Sequence, residues 1–240
     1  MKLAVLADIH GNQAALEAVL QAARRAAAQR VVCLGDVVGY GPDPAGCIRR
    51  LAEVEAVMVL GNHDQAMLEP GRIRWFNRFA RHSLIHSRSL LGADELRYLA
   101  QSAFRRGESG AVFAHANPLR PEDWELLYTH EQVSWCMERL DWQVAFVGHT
   151  HHAALYCRLQ SHVVPLTSTS VAIGPHQYLV NPGSVGQPRD GDWRASFALW
   201  DVDGRLVQLQ RVEYDVQRAQ AGIAALDWPP YLAERLGRGE

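Results

Sequence analysis

The sequence predicts an α/β protein with two packed sheets that are covered by helices. Up to about residue 60, short apolar runs alternate with helical patterns in the order β-α-β-α-β, which implies parallel strands with right-handed crossovers. After His152 the pattern changes to a succession of strand-like runs, with Asp203-Gly204 as a tight hairpin turn. No linker or internal repeat interrupts the chain, so we expect one continuous domain over residues 1–240.

The elements of the first half follow from local patterns. Residues 3–7, 31–34 and 57–60 are apolar runs of strand length. Asn12 is a good N-cap for an Ala/Leu-rich helix that should run to about residue 29, and a second helix is expected at about residues 45–51. The pattern is helical again from residue 71 to residue 106, which predicts a helical cap insertion over about residues 65–106.

Strand signals dominate the second half. They return at residues 111–114 and 144–147, separated by a helix near residues 131–140. The five later runs cover residues 153–158, 162–166, 177–180, 195–200 and 206–212. We expect these later strands to be mostly antiparallel.

Composition excludes several classes of protein. Apolar residues make up 48% of the 240 residues and charged residues 21%, as in soluble globular proteins. The net charge of −2 argues against binding to nucleic acid or to an anionic membrane by bulk charge. The apolar run before Asp8 is too short for a signal peptide or a membrane span. The four cysteines form no C-x-x-C pair, which argues against a disulfide framework and favours a reducing cytoplasm.

Polar residues follow directly after five of the predicted strands. Because ligands bind in the crevice beyond the carboxyl ends of strands in an α/β sheet, we expect these side chains to converge there. A single histidine at a strand end is more often a surface or core residue, but five such turns in one chain favour a metal site. The candidate metal ligands are Asp8, His10, Asp36, Asn62, His115, His149 and His151.

The chemistry of these ligands indicates which metals they could hold. Carboxylate, amide and imidazole ligands without thiolate suit a divalent cation such as Mn, Fe, Co, Ni or Zn. Two cations that share a bridging ligand would need about seven or eight protein ligands, and the set matches that number. Gly35, Gly61 and Gly148 each precede a candidate ligand, where a strand must turn sharply and two backbones can approach closely.

Five sequence blocks resemble the signature blocks of a known family. ADIHGN at residues 7–12, GDVVGYG at 35–41, GNHD at 61–64, the apolar strand that ends in His115, and GHTHH at 148–152 occur in the order found in the calcineurin-like metallophosphoesterase superfamily. NPGS at 181–184 resembles a further turn in its small bacterial and archaeal phosphodiesterase branch. The resemblance implies a four-layer α/β/β/α sandwich of two mixed sheets flanked by helices.

The resemblance also implies a role for each matching residue. It implies two divalent transition-metal ions, with manganese favoured, and hydrolysis of phosphodiester bonds by metal-activated hydroxide. His63 would be the general acid, and Asp64 would orient its ring. By motif position, Asp8, His10, Asp36 and His151 would hold the first ion, and Asp36, Asn62, His115 and His149 would hold the second, with Asp36 as the bridge.

The departures from other branches of the superfamily narrow the expected activity. Phosphoprotein phosphatases and symmetric diadenosine tetraphosphatases carry an Arg-Gly run after the bridging Asp and a Glu after the catalytic His. In this sequence Gly39, Tyr40 and Gly41 stand in place of the run, and Asp64 stands in place of the Glu. The phosphate-clamping arginine is missing at that position, which argues against a phosphoserine phosphatase.

A basic segment follows His63. Residues 71–88 contain five arginines and no acidic residue, which predicts either a solvated helix face or a cap that attracts an anionic substrate. Tyr40 and Trp75 could stack a nucleobase or serve as packing residues, and Trp124 is expected in the core or an interface. Asn181 and Ser184 are expected to tie down a turn. The candidate substrate-binding residues are Tyr40, Asn62, Arg74, Arg78, Arg81 and Arg189.

Several alternatives stay open at this point. The substrate is expected to be a small anionic phosphoester, with nucleotides among the candidates, and a phosphomonoesterase or an asymmetric dinucleoside polyphosphate hydrolase is the alternative activity. A non-catalytic metal-bearing scaffold is a rival, although His63 and all seven candidate ligands are present. A nuclease is disfavoured by the near-neutral charge, so we expect no stable complex with nucleic acid and no membrane partner. The oligomeric state is open, and a homodimer is one of the options.

Overall fold

The computed structural model of the chain describes residues 1–226 and 228–240. The strands are β1 (Lys2–Leu6), β2 (Arg30–Cys33), β3 (Val57–Met58), β4 (Arg105–Glu108), β5 (Ala111–Ala114), β6 (Val144–Phe146), β7 (Ala153–Leu159), β8 (His162–Leu166), β9 (Ser170–Ala172), β10 (Gln177–Pro182), β11 (Ala195–Asp201) and β12 (Leu206–Val212). The α-helices are α1 (Gln13–Arg25), α2 (Pro44–Glu53), α3 (Asn62–Leu68), α4 (Arg78–Leu90), α5 (Ala93–Ala100), α6 (His130–Arg139), α7 (Val216–Ala224) and α8 (Tyr231–Glu234). Short 3-10 helices cover Pro70–Trp75 and Arg235–Gly237.

Across the described residues, the strands form two mixed sheets. The first has the order β3-β2-β1-β11-β12-β9, and the second has the order β4-β5-β6-β10-β7-β8. β1, β2 and β3 pair in parallel, as do β5, β6 and β10, whereas the other pairs are antiparallel. The predicted sandwich of two mixed sheets flanked by helices is therefore confirmed.

The alternation of side chains along β1 shows how the layers pack. Leu3 and Val5 lie in the core between the two sheets, with Phe113 and Phe146 of the second sheet. Ala4 and Leu6 face the opposite way, into the core under α1 and α2. Successive strand residues point to opposite faces, so a continuous apolar run is what a strand covered on both faces requires. On the far side of the second sheet, α6 covers its outer face.

This topology brings the candidate ligands together. The carboxyl ends of β1, β2 and β3 lie at one edge of the first sheet, and those of β5 and β6 lie at the corresponding edge of the second. Hydrogen bonds tie these loops together: within the second sheet the Gly148 N–H donates to the His115 carbonyl at 2.9 Å, and between the two sheets the Gly186 N–H donates to the Asp8 carbonyl at 3.0 Å.

Several elements differ from the sequence prediction. α1 ends at Arg25, because Ala27 adopts a left-handed φ of 59° and the Ala28 N–H closes the helix on the Ala23 carbonyl at 2.9 Å. The predicted helical segment to residue 106 instead ends in β4, a polar strand that pairs with β5. α7 and α8, beyond the last predicted strand, were not anticipated. Within the described residues, no helix combines the length and apolarity needed to cross a bilayer.

Candidate metal centre

Five of the candidate ligands adopt a left-handed backbone conformation directly after their strands. Such a conformation costs of order ~1–3 kcal/mol for a non-glycine residue and persists only where the surrounding structure enforces it. Backbone hydrogen bonds between adjacent loops supply that constraint, for example from the His10 N–H to the Asp36 carbonyl at 2.9 Å. The φ angles are 55° for Asp8, 48° for His10, 54° for Asp36, 67° for His149 and 61° for His151.

Glycine at position 61 permits the close approach of two of these loops. A Cβ at Gly61 would lie 2.2 Å from Asp36 Oδ1 and 2.3 Å from the Asp36 nitrogen. The neighbouring Gly35 has a left-handed φ of 97°, and a Cβ there would lie 2.4 Å from the Gly61 nitrogen. The predicted close approach of two backbones before Asp36 and Asn62 is therefore confirmed.

Gly61→Ala is expected to lower divalent-metal affinity by ~10–100-fold, because the added methyl group must displace the Asp36 carboxylate. Gly71→Ala is the matched control, since a Cβ at Gly71 meets no atom within 4 Å. Calorimetric metal titration of both variants, with thermal unfolding to confirm folding, provides the measurement. Equal metal affinity of the two variants would show that the loop absorbs the methyl group without moving Asp36.

Asp36 lies at the centre of the ligand set. Its Oδ1 accepts a hydrogen bond from the His63 backbone N–H at 2.9 Å. Its Oδ2 faces the imidazoles, at 3.4 Å from His115 Nε2, 3.8 Å from His10 Nε2 and 3.9 Å from His63 Nε2. The carboxylate thus stands between ligand atoms that come from both sheets.

The potential ligand atoms form three overlapping groups, each with all its atoms within 4.8 Å of one another. One group joins Asp36 to His115 and His149, and His115 Nε2 lies 3.1 Å from His149 Nδ1. Asp36 also belongs to a group with His10 and His63. The remaining group is Asp8, His10 and His151, in which the two histidine Nε2 atoms lie 3.2 Å apart.

Backbone carbonyls hold three of the imidazoles in one orientation. His10 Nδ1 lies 2.9 Å from the Val38 carbonyl, and His115 Nδ1 lies 2.9 Å from the Leu34 carbonyl. His151 Nδ1 lies 2.7 Å from the Gln187 carbonyl. Since a carbonyl can only accept, each Nδ1 must donate, which leaves Nε2 as the ring atom directed into the site. This is the arrangement by which proteins orient metal-binding histidines.

Two oxygen atoms of the candidate ligands are buried without a hydrogen-bond partner in the described part of the chain. They are Oδ1 of Asp8 and Oδ1 of Asn62, the first residue of α3. Asp8 Oδ1 lies 3.4 Å from His151 Nε2, whereas Asp8 Oδ2 accepts from the His149 backbone N–H at 3.0 Å. Buried acceptors without partners are costly, and a cation would satisfy both.

Burial makes most of the imidazoles neutral. It lowers the pKa of His10 and of His151 well below the usual value, and it lowers the pKa of His149 to about 3. Burial also acts to lower the pKa of His115, but the carboxylates of Asp36 and Asp8 outweigh it and raise the pKa to about 9. A neutral imidazole is the form that binds a cation, so His115 would have to release its second proton when a cation binds.

The two carboxylates respond differently to the same surroundings. Burial raises the pKa of Asp8 to about 7. Burial acts in the same direction on Asp36, but the charge of His115 outweighs it and holds the pKa well below its usual range. Asp36 is therefore the carboxylate that is held ionised at the centre of the site.

His63 lies beside the candidate ligands under a cover of aromatic rings. It is 5% exposed, and its ring centroid lies 4.9 Å from Phe76, 5.1 Å from Tyr40 and 4.8 Å from His10. Its Nδ1 has no hydrogen-bond partner among the described residues. Burial lowers the pKa of His63 to about 4.

The prediction that Asp64 orients the His63 ring is wrong. Asp64 Oδ1 accepts from the backbone N–H groups of Val37 at 2.9 Å and Val38 at 3.3 Å. Its Oδ2 accepts from the Gly61 N–H at 3.2 Å. Because α3 begins at Asn62, Asp64 is the third residue of the helix, where an acidic side chain turns back to cap the N-terminus. Asp64 therefore holds the loop that carries Asp36.

Tyr40 and Arg189 lie together near His10. Tyr40 is 8% exposed and its ring lies 4.9 Å from that of His10, so it supports the site and offers little surface for stacking a substrate. The Arg189 guanidinium lies 5.7 Å from the Tyr40 ring centroid and donates to Gln187 Oε1 at 2.8 Å. Its Nε is buried without a partner among the described residues.

The arginines of the basic segment are spread over the surface of the cap. Arg81 donates to the carbonyl of Arg74 at 2.8 Å and to that of Phe76 at 3.3 Å, so it holds the turn before α4. Arg74 and Arg78 are exposed, and each guanidinium lies against the ring of the following aromatic residue. Next to Asn62 lies a cavity, and none of these three arginines is among the residues that line it.

Sequence reasoning missed most of the residues that line this cavity. Arg72 belongs to the basic segment but was not singled out, and Trp124 was expected in the core or an interface. Trp75 was expected either to stack a nucleobase or to pack, but nothing local in the sequence shows that Trp75 and Trp124 line the same cavity. The cavity is lined by Asn62, Gln65, Arg72, Trp75, Phe76 and Trp124.

Asn181 and Ser184 tie down turns, as expected. Asn181 Nδ2 donates to the Gly148 carbonyl at 3.0 Å and to Thr150 Oγ1 at 2.9 Å. Ser184 Oγ donates to the Asp8 carbonyl at 2.7 Å. Both side chains therefore fix the loops that carry Asp8 and His149.

Comparisons with known proteins agree with this geometry. The model of the calcineurin-like phosphoesterase superfamily domain matches residues 1–205. A metallophosphoesterase from Sphaerobacter thermophilus is 33% identical, with a TM-score of 0.87 over 100% of this chain and 99% of that chain. An uncharacterised protein of Methanocaldococcus jannaschii is 33% identical over 99% of this chain and 98% of its own length. A hypothetical protein from Pyrococcus horikoshii OT3 shares the fold, with a TM-score of 0.82 at 22% identity over 100% of this chain and 98% of that chain.

Proposed function

This chain belongs to the calcineurin-like phosphoesterase superfamily, and on that premise we propose that it hydrolyses phosphodiester bonds at a centre of two divalent transition-metal ions. Membership makes it a metal-dependent phosphoric ester hydrolase that acts on small phosphoester substrates. The observation that carries the finer proposal is the convergence of three carbonyl-anchored imidazoles, each with its Nε2 directed toward a carboxylate. We also propose that residues 1–240 are a single domain with a helical cap at about residues 65–106.

The donor set suits two cations that share one carboxylate. Asp36 belongs to two of the three ligand groups, one with His10 and the other with His115 and His149, which supports its assignment as the bridge. When bound, two such cations would lower the pKa of a coordinated water and neutralise charge on the phosphoryl group. We assign Asp8, His10, Asp36 and His151 to the first ion and Asp36, Asn62, His115 and His149 to the second. Manganese is our first choice among the divalent transition metals that oxygen and imidazole donors suit.

His63 is proposed to protonate the leaving oxygen. Its Nε2 lies 3.9 Å from Asp36 Oδ2, at the edge of the ligand set, and it is covered by Tyr40 and Phe76. Since Asp64 bonds only to backbone N–H groups among the described residues, its part is to position the loop of Asp36.

Arg189 is proposed to bind an anionic oxygen of the substrate. Its guanidinium lies 5.7 Å from the Tyr40 ring, and that ring lies 4.9 Å from His10 and 5.1 Å from His63, which supports a position close to the ligands and the proposed acid. A buried guanidinium nitrogen without a partner is costly, and a phosphoryl oxygen would complete its hydrogen bonds. Arg74 and Arg78 are exposed on the cap, so they would attract an anionic substrate through the long-range electrostatic field of their positive charges.

Arg189→Gln is expected to lower kcat/KM for anionic phosphoesters by ~10–100-fold, because it removes a charge-assisted hydrogen bond. The loss should persist in added salt, since a buried contact is weakly screened. The Arg74→Gln/Arg78→Gln double variant is the comparison: its smaller rise in KM should disappear at high ionic strength. Steady-state kinetics at low and high salt, with metal content checked, decides the matter. A salt-sensitive Arg189→Gln effect would contradict direct contact.

The proposed reaction is tested by a screen of the metal-reconstituted protein. The substrates are aryl monoesters, aryl diesters, cyclic nucleotides and dinucleoside polyphosphates, each assayed with Mn, Fe, Co, Ni and Zn. We expect the highest kcat/KM on a diester. Highest activity on a monoester or on an asymmetrically cleaved dinucleoside polyphosphate would replace diester specificity with one of those activities.

A further inference from the structure

A cavity of about 230 Å³ lies next to the candidate metal centre, where Asn62 forms part of its wall. Three of its other lining residues are aromatic: Trp75, Phe76 and Trp124. Sites that enclose a whole drug-sized ligand measure roughly 300–1,000 Å³, so this cavity is sized for one ring system of a larger ligand. Apart from Asn62, none of its lining residues has a part in the proposed reaction.

Trp124 forms a fixed wall of the cavity. Its Nε1 donates to Gln65 Oε1 at 3.0 Å, and its ring lies edge-on to His115 at 5.8 Å and tilted against Phe104 at 5.7 Å. Its backbone φ is 55°, which a bulky residue rarely adopts. These contacts hold the indole beside the group formed by Asp36, His115 and His149.

Trp75 supplies a second, open wall from the cap. It is the last residue of the 3-10 helix Pro70–Trp75, and it is 76% exposed. An exposed tryptophan that faces a cavity is typical of surfaces that bind a flat ring. Phe76 connects the cavity to His63, since their rings lie 4.9 Å apart. The cavity therefore adjoins both the candidate metal ligands and the proposed general acid.

Arg72 adds hydrogen-bond donors to the aromatic walls. Its Nε donates to Glu69 Oε2 at 2.6 Å, and Glu69 Oε1 accepts from Gln65 Nε2 at 2.9 Å. Among the described residues the two terminal nitrogens of Arg72 make no hydrogen bond, and the side chain lines the cavity. These donors match ring nitrogens and carbonyl oxygens, which a nucleobase carries and a phenyl ring lacks.

We propose that this cavity is a nucleobase subsite, in which the base of a nucleotide ester stacks between Trp75 and Trp124 while its phosphate lies at the metal centre. The proposal rests on the proposed function and gives it a substrate class, namely nucleotide esters. Stacking of a base on an aromatic side chain is strong enough to dominate the choice of substrate, and every base offers a flat face. The donors of Arg72 distinguish a base from a plain aryl group.

Binding measurements on the metal-loaded, full-length protein test the subsite without turnover. The probes are the four ribonucleoside 5′-monophosphates, ribose 5-phosphate and phenyl phosphate, titrated by calorimetry. We expect at least one nucleoside monophosphate to bind ~10-fold or more tightly than ribose 5-phosphate and phenyl phosphate. Trp75→Ala should remove that advantage and leave the affinity for ribose 5-phosphate unchanged, whereas Trp75→Phe should retain most of it.

Tyr128→Ala is the matched control, because Tyr128 is 58% exposed and lies outside the cavity lining. It should leave all the affinities unchanged. The subsite would be overturned if nucleoside monophosphates bound no more tightly than ribose 5-phosphate, or if Trp75→Ala kept the tighter binding of nucleotides. The proposed diesterase activity would be unaffected, because the substrate screen tests it separately. Phenyl phosphate binding as tightly as the best nucleotide would reassign the cavity to simple aryl groups. If the substrate screen detected no diester hydrolysis while nucleotides still bound more tightly than the other probes, the proposed reaction would be wrong and the subsite would stand.

Discussion

The Asp36→Asn variant is expected to bind neither metal ion, and its hydrolytic rate should therefore fall by more than ~100-fold. Replacing a residue that merely supports a ligand commonly costs ~10–100-fold in metal affinity, and Asp36 is a proposed ligand of both ions. Its Oδ2 lies within 4 Å of imidazole nitrogens from His10 and His115, which belong to different sheets. An amide keeps the shape of the side chain but removes the charge that holds two cations close together.

Elemental analysis of protein purified without chelator provides the measurement. Wild type should contain close to two transition metals per chain and Asp36→Asn close to none. Asp8→Asn should lose one, because Asp8 belongs to only one of the ligand groups. Asp94→Asn is the control, since Asp94 is exposed on α5 and pairs with Arg97. Two metals retained by Asp36→Asn would contradict the bridging assignment.

His63→Ala is expected to retain its metals and to lose ~10²–10⁴-fold of the rate on esters with a poor leaving group, which is the usual contribution of a general acid. A nitrophenolate, whose conjugate acid has a pKa of ~7, departs with little help, so nitrophenyl esters should lose much less. The expectation follows from the position of His63 beside the ligand set, with its Nε2 3.9 Å from Asp36 Oδ2.

Two other outcomes have distinct meanings. An equal loss on nucleoside and nitrophenyl esters would show that His63 stabilises charge in the transition state instead of donating a proton. Loss of a metal in His63→Ala would make His63 a ligand, which its grouping with His10 and Asp36 within 4.8 Å permits. Elemental analysis beside kcat/KM on both ester classes separates these outcomes. His82→Ala, at a residue of α4 that packs against Trp228, is the matched control.

The set of candidate ligands is predictable from the sequence because each candidate lies within five residues of the end of an apolar strand. A strand covered on both faces must be a continuous apolar run, so its end is visible in the sequence. The carboxyl ends of parallel strands meet at one edge of a sheet, which explains why Asp8 lies near Asp36 and why His115 lies near His149. The packing of the two sheets then brings these two pairs together. Gly61 indicated a sharp turn for a similarly local reason, because it directly precedes the candidate ligand Asn62.

The partners of the surrounding residues were decided only by the tertiary structure. Asp64 lies next to His63 in the sequence, yet it bonds to Val37 and Val38, because helix α3 begins at Asn62 and turns the carboxylate back toward that loop. Trp124 meets Gln65 across 59 residues of sequence separation. Periodicity reports which face of an element is apolar, but it carries no information about which distant loop covers that face. For that reason the sequence by itself predicted the candidate metal ligands, and only the packing of the cap and of the Trp124 loop beside them decided the shape of the cavity.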